Sequence, residues 1–218
     1  MRTIEQDIAF EETNRYIHKN PVLSFITNRG YRACNGLIQN KESVLDVGCG
    51  TGDFIPYLNC KHYTGLDIHE NFITIARERF PHYEFVLGDV YSLPFNDSTI
   101  PSIVSFGLLE HLKDIDKGIN EIRRVLAADG EFIFGIPTEG FIYRMGRNFT
   151  TKPHVEQATG TDYDNLLKIE HVNSCKDVLQ GLKINFIINK ISGVPFKLPF
   201  VSCNVFIVGR CVKNEKSL

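Results

Sequence analysis

No stretch of this chain approaches the roughly eighteen consecutive apolar residues that a membrane-crossing helix requires, so no spanning helix is expected. Charge of one sign is also scarce. The formal net charge is −2 over 218 residues, too small to gather nucleic acid or an anionic membrane over the whole surface. No basic run with interleaved aromatics is present to follow a nucleic-acid backbone. The six cysteines (Cys34, Cys49, Cys60, Cys175, Cys203, Cys211) include no CxxC pair, which argues against a zinc site or a redox pair. A chain of this length needs no disulfide staples, so reduced, packed thiols and a cytoplasmic setting are expected. The start, Met1 to Asp7, carries acidic residues where a secretory signal needs a basic stretch and then an apolar one. Internal repeats and low-complexity tracts are absent too. What remains is 43% hydrophobic and 23% charged, enough to bury the core of a single domain spanning residues 1–218, with Asn214 to Leu218 as a loose tail.

Along the chain, Ile8, Phe10, Tyr16 and Ile17 suggest a short helix. Asn20-Pro21 then reads as a cap and first helical residue for a second helix over 21–39. After these N-terminal helices (residues 1–40), strands are expected at 43–47, 63–68, 83–87, 100–106 and 131–136. A brief helix at 54–58 follows the first strand, a helix capped by Asn71 follows the second, and a helix capped by Asp114 follows the fourth. Strands alternating with helices are the pattern of a doubly wound, mostly parallel α/β sheet. Residues 137–173 break that rhythm and read as an insertion. Ser174 caps one more helix, and two final strands, 183–191 and 201–211, are joined by a link too short for a crossover helix. They should therefore pair antiparallel, completing a seven-stranded sheet.

The chemistry is concentrated at the turn Gly48-Cys49-Gly50-Thr51-Gly52, between a strand and an expected helix. Such a turn presents backbone N–H groups and a positive helix end, and the glycines allow close approach. No lysine follows, so this is not a phosphate-binding loop. Asp53 occupies the place of the third glycine in a dinucleotide fingerprint and would crowd a pyrophosphate with negative charge. Asp67, nineteen residues after Gly48 and at the end of the second strand, is placed to accept the hydrogen bonds of a ribose diol. Asp89, after the third strand, is placed to accept from an exocyclic amine. Asp46 can brace the turn or face a positively charged ligand group. Three carboxylates around one pocket suit a cationic cofactor better than a diphosphate.

Val44-Leu45-Asp46-Val47-Gly48-Cys49-Gly50-Thr51-Gly52, Gly65-Leu66-Asp67-Ile68, Gly88-Asp89-Val90, Leu108-Leu109-Glu110-His111-Leu112 and Arg123-Arg124-Val125-Leu126 before Gly130 resemble the ordered motifs of class I S-adenosylmethionine-dependent methyltransferases. The nearest subgroup is the small-molecule type that includes the ubiquinone and menaquinone enzymes. The resemblance is strong over about residues 40–136 and extends weakly to the terminal strand pair. It implies the Rossmann-like methyltransferase fold and S-adenosyl-L-methionine as cofactor. Gly48, Cys49, Gly50, Thr51 and Gly52 would flank the methionine part and adenosine, with Asp46 beside them. Asp67 would bind the ribose and Ile68 the adenine face, Asp89 the adenine amino group with Val90 beside it, and Phe106 and Gly107 would line the channel to the methyl group.

On the acceptor side, His111, His154 and His171 are the candidate bases, each able to receive a proton near neutral pH; His111 either orders its loop or touches substrate. Phe141 and Tyr143, candidate acceptor-side residues, could with Phe149 form an apolar lid or equally anchor a loop that needs burial to stay ordered. Arg144 and Arg147, three apart, could share a helix face that binds an acceptor carboxylate or phosphate. His154-Val155-Glu156 offers only two ligands, and no metal site is expected. The expected reaction is in-line methyl transfer to an oxygen or nitrogen of a small molecule (a sugar or glycan unit, a quinone or another metabolite), by a monomer or homodimer. Nucleic acid is disfavoured as acceptor because Phe106-Gly107-Leu108-Leu109 stands where an adenine methylase carries its Asn/Asp-Pro-Pro-aromatic signature. A catalytically silent module on the same fold and a nicotinamide-dependent oxidoreductase are the alternatives.

Overall fold

A computed structural model describes residues 4–214; most of the tail expected at Asn214 to Leu218 lies outside the described residues. Two helices, α1 (Ile4–Lys19) and α2 (Pro21–Leu37), precede the sheet. Asn20 caps α2 by accepting from the Val22 and Leu23 N–H groups, as the Asn-Pro pair implies. The strands are β1 (Ser43–Val47), β2 (His62–Asp67), β3 (Glu84–Leu87), β4 (Ile100–Phe106), β5 (Leu126–Pro137), β6 (Phe186–Val194) and β7 (Phe206–Lys213). They form one sheet in the order β3-β2-β1-β4-β5-β7-β6. Pairing is parallel from β3 to β5 and antiparallel where β7 lies between β5 and β6.

Alternation along the strands feeds two cores. Leu45, Ile103, Phe132 and Phe134 face one side with α4 (Ile115–Val125) and α8 (Cys175–Asn185); Val44, Val104, Ile133 and Val208 face the other with α2. Asp114 caps α4 through the Lys117 N–H, and Ser174 with Asp177 forms a capping box on α8.

Five expectations are corrected. Strand β5 begins at Leu126 rather than residue 131. The glycine turn leads not to an α-helix but to turns and a three-residue 3-10 helix at Ile55–Tyr57. The helix after β2, α3 (Glu70–Arg79), has His69 and not Asn71 at its N-cap, two residues earlier than expected. The last three residues of α8, through Asn185, occupy positions expected in strand β6. The final strand begins at Phe206 rather than residue 201, because Asn204 is fully buried and organises the preceding loop. Its side chain accepts from Phe196 N–H and donates to the carbonyls of Leu198 and Phe200, bonds incompatible with a ladder. Within 137–173 the chain forms α5 (Phe141–Phe149), α6 (Thr151–Thr159) and α7 (Tyr163–Glu170).

Two buried carboxylates tie the sheet. Glu131, 2% exposed, accepts from the backbone N–H groups of Gln39 and Asn40, from the Ser102 hydroxyl and from Arg210 Nε, clamping the α2–β1 connection to β4, β5 and β7. Asp46 accepts from the Tyr63 hydroxyl at 2.9 Å across the β1–β2 pair. Burial pushes the Asp46 carboxyl up to about 7, with the Tyr63 bond opposing and the Asp67 charge adding to the rise.

Glu131→Ala should lower the urea unfolding free energy by about 3 kcal/mol with an unchanged m value, since it strands Arg210 and two backbone donors. Asp46 gives the opposite sign. An unfolded chain ionises this carboxyl near 3.8, so the folded state holds the proton between that value and about 7 and loses stability as the pH rises through that window. Asp46→Asn keeps an acceptor for Tyr63 without the charge. It should exceed the parent in stability at pH 8 by on the order of 2–4 kcal/mol, the gap closing towards pH 4 in parallel urea titrations.

Candidate active site

Parallel pairing sets the carboxyl ends of β1 to β5 along one sheet edge, with the reversal of strand order between β1 and β4, the place where open α/β sheets receive ligands. The residues singled out from the sequence sit on that edge in chain order: the glycine turn after β1, Asp67 ending β2, Asp89 after β3, Phe106 and Gly107 at the end of β4.

The turn is built by backbone geometry. Gly48 (φ 79°) and Gly50 (φ 53°) adopt the left-handed conformation that favours glycine. A Cβ at Gly48 would come within 3.0 Å of Leu108, whereas at Gly50 it would meet nothing within 4 Å. Gly48 is therefore small for packing, and Gly50 fronts open space. Asp67, 8% exposed, spans the turn: Oδ2 accepts from Gly50 N–H at 2.9 Å, and Oδ1 from His69 N–H at 2.9 Å with His69 Nδ1 at 3.0 Å. Oδ2, with its single bond from the turn, keeps a further lone pair. Ile68, next along, is 58% exposed.

Other members of the set point elsewhere. Cys49 turns its thiol inward, 2.9 Å from the Cβ position of Gly65, and burial raises it far out of the ionisable range. Only its backbone is available at the turn. The Thr51 hydroxyl donates to Asp53 Oδ2 and accepts from Arg79, which also binds the Thr51 carbonyl and Asp53 Oδ1 at 2.7 Å. The Asp53 charge is thus compensated by Arg79, and the turn is followed by a 3-10 helix rather than an α-helix, so it lacks the positive α-helix end expected there. Asp89 Oδ1 accepts from Tyr91 N–H, and Val90 is buried in the first core. The Phe106 ring is taken up by packing, 4.8 Å from Tyr31 and 4.9 Å from Phe206, over Gly30 and Gly135.

On the β4–β5 side, a 3-10 turn at Leu109–His111 carries Glu110 and His111. Asn173, just past α7, stitches to that turn: its N–H donates to the Glu110 carbonyl, and its side-chain amide to the carbonyls of Leu109 and Leu112. This brings His171 to His111 with ring centroids 4.9 Å apart. Glu110, 4% exposed, is pushed up to about 7 by burial, with His171 opposing and Glu139 adding to the rise. Half-buried Tyr143 on α5 belongs to the same neighbourhood, its hydroxyl raised by burial and then by Tyr163 and the carboxylates of Glu139 and Glu110.

His154 does not join them. Its Nε2 lies 2.8 Å from Glu12 and its ring stacks on Tyr16 of α1 at 4.0 Å, so it holds α6 to α1. Arg147 is paired with Asp164 at 2.9 Å and lies over the Tyr163 ring, so it braces α7 instead of sharing an open clamp with exposed Arg144. Phe141 is 64% exposed. Reading the sequence missed Tyr63, Arg79, Glu110 and Glu139. For Glu110 a signal existed, its place before His111 just past a strand end; for Arg79 there was none.

Residues 45–134 match the family model described as a methyltransferase domain. The chain is 37% identical to a demethylmenaquinone methyltransferase of Thermotoga maritima over 99 residues, 43% of each chain. It is 29% identical to a malonyl-[acyl-carrier protein] O-methyltransferase of Erwinia pyrifoliae over 66% of this chain and 60% of the relative. These matches span about half the length of the relatives. A solved S-adenosylmethionine-dependent methyltransferase of Aquifex aeolicus superposes with a TM-score of 0.63 at 17% identity, over 92% of this chain and 96% of that one, a likeness of fold. Over residues 45–134 the chain carries a methyltransferase domain, and there it is similar to S-adenosylmethionine-dependent methyltransferases.

Proposed function

We propose that this chain transfers a methyl group from S-adenosylmethionine to an oxygen or nitrogen of a small molecule. One observation carries the cofactor half of this reading: a glycine turn open to space at Gly50, spanned by the buried Asp67 carboxylate and bordered by exposed Ile68. A nucleoside laid along this edge finds hydrogen-bond acceptors at Asp67 and Asp89 and an apolar face at Ile68. The residues fit the cofactor. Gly48, Gly50 and Gly52 would flank it through their backbone, with Cys49 and Thr51 contributing main-chain groups only. Asp46 braces the turn through Tyr63 and does not reach for the ligand. Val90 and Phe106 support from the core, and Gly107 (φ 73°) leaves the end of β4 without a side chain.

When bound, the cofactor supplies a methyl group already made electrophilic by its sulfonium. What the chain must do is orient the acceptor, exclude water and take up any proton released. Glu110, His111 and His171, gathered beside Gly107, are the polar groups on that side, and His154 is set aside by its pairing with Glu12. Tyr143 and Phe141 on α5, with Arg144 exposed on the same helix, stand as acceptor-side residues. Of the two relatives, one is named for demethylmenaquinone and the other as an O-methyltransferase, which supports oxygen as an acceptor atom and favours no single acceptor. Among the described residues no helix is long and apolar enough to cross a membrane.

Calorimetry should detect one molecule of S-adenosylhomocysteine bound per chain. Asp67→Ala should weaken that binding at least tenfold while unfolding remains cooperative, because an acceptor for buried hydroxyls is lost. Unchanged affinity in the folded variant would remove Asp67 from the site. Failure of the parent chain to bind, or binding without turnover across hydroxyl, amine and quinol acceptors, would overturn the cofactor or the transfer reading respectively.

A further inference from the structure

Glu110, His111 and His171 each offer one ligand atom, and these atoms all lie within 4.8 Å of one another. The carboxylate is buried, and its Oε2 has no hydrogen-bond partner among the described residues. Leaving a buried carboxylate oxygen unsatisfied is costly, so it calls for a partner that the side chains around it do not supply.

The two imidazoles are oriented from behind. His111 Nδ1 lies 2.8 Å from the Glu170 carbonyl oxygen, and His171 Nδ1 lies 2.6 Å from Glu139 Oε1. A neutral ring that donates from Nδ1 carries its lone pair on Nε2. An imidazole held by a carbonyl or carboxylate at one nitrogen and presenting the other is the usual arrangement of a metal-bound histidine. His111 Nε2 already stands 3.9 Å from Glu110 Oε1. Two ligands on one ion at about 2.1 Å each lie roughly 3.0–3.5 Å apart, so small side-chain rotations close the set. Glu139, which orients His171, sits in the left-handed region at φ 51°. A non-glycine residue holds that conformation at a cost, and such strain gathers at functional sites.

We propose that Glu110, His111 and His171 form a divalent metal site, with two imidazole nitrogens and one carboxylate oxygen on one side of the ion. Nitrogen ligands exclude calcium and magnesium as the preferred occupants and point to a borderline ion of the zinc, cobalt, iron or manganese kind. Three protein ligands leave coordination positions open. Glu110 Oε1 lies 3.7 Å from the Cβ position of Gly107, which puts the ion beside the end of β4 and makes an oxygen-bearing acceptor its natural further ligand. The ion site stands on these side chains alone; its service to an oxygen acceptor rests on the methyltransferase reading above. The pair His154 and Glu156, the metal candidate visible in the sequence, has no part in it.

The full chain, stripped with chelator and titrated with Co2+, should bind one equivalent and develop visible absorption bands, which Zn2+ then abolishes. Glu110→Gln and His171→Ala should each weaken Co2+ binding by more than tenfold, and Glu139→Gln, outside the ligand set, by roughly tenfold, whereas exposed His82→Ala should leave it unchanged. Thermal unfolding of each variant separates lost ligands from lost fold, and the Glu139 variant keeps the comparison open if a ligand variant does not fold. Absence of a one-equivalent site, or a site that persists in folded Glu110→Gln and His171→Ala, overturns the proposal. S-adenosylhomocysteine calorimetry on the same sample distinguishes the two readings: binding of the nucleoside without Co2+ sinks the metal site alone, and binding of Co2+ without the nucleoside sinks the methyltransferase reading alone.

Discussion

The parallel pairing of β1 with β2 on one side and β4 on the other is the constraint on which everything else depends. Parallel strands need crossovers, and crossovers carry the chain back so that each strand ends on the same edge. Gly48, Asp67, Asp89, Gly107 and Glu139 are far apart in the chain and share that edge only because the five strands before them run the same way. The two cores that hold those strands in register, one under α4 and α8 and one under α2, therefore set the geometry of the site as much as the site's own residues do.

Electrostatics divides the edge in two. On the β1–β2 side each carboxylate has protein partners: Asp46 has Tyr63, Asp67 has the backbone of the turn and of His69, and Asp53 has Arg79. That half is organised before any ligand arrives, which lowers the ordering cost of binding. On the β4–β5 side, Glu110 is buried with one oxygen unsatisfied, beside two imidazoles. A buried carboxylate costs stability, and the fold retains it at the place where the proposed chemistry needs polar groups. Burial raises both Asp46 and Glu110 to about 7, yet only the first is stabilised by a side-chain hydroxyl.

The helical insertion links these halves to the rest of the chain. α6 leans on α1 through His154, Glu12 and Tyr16, α7 is braced by Arg147, and the residues after α7 are sewn to the turn that carries Glu110. At its other end α1 reaches the glycine turn, with His18 Nε2 3.4 Å from Asp53. His154, a candidate base in the sequence, and Arg147, a candidate acceptor-binding residue, are paired with Glu12 and Asp164 and position helices α6 and α7.

The sequence by itself determined whatever is encoded within a few residues. Strand β1 at 43–47, the caps at Asn20, Asp114 and Ser174, the glycine turn and the ends of β2 and β3 were legible because period, cap chemistry and glycine placement act locally. The antiparallel closing pair was legible from the short link before β7. The extent of the last strand was not, because Asn204 acts through contacts with Phe196, Leu198 and Phe200 that hydropathy does not report. Nor was the absence of a helix after the glycine turn, where Phe54 is buried in the core under α2, Ile55 in a separate cluster with Cys49, Tyr63 and Phe85, and Ile55–Tyr57 settles into a single 3-10 turn. Only the tertiary structure decided which acidic and histidine side chains meet. Glu110 and His171 are brought together by Asn173 and the insertion, whereas His154 is carried to α1, since a contact between residues some sixty positions apart depends on how helices dock and not on any pattern along the chain.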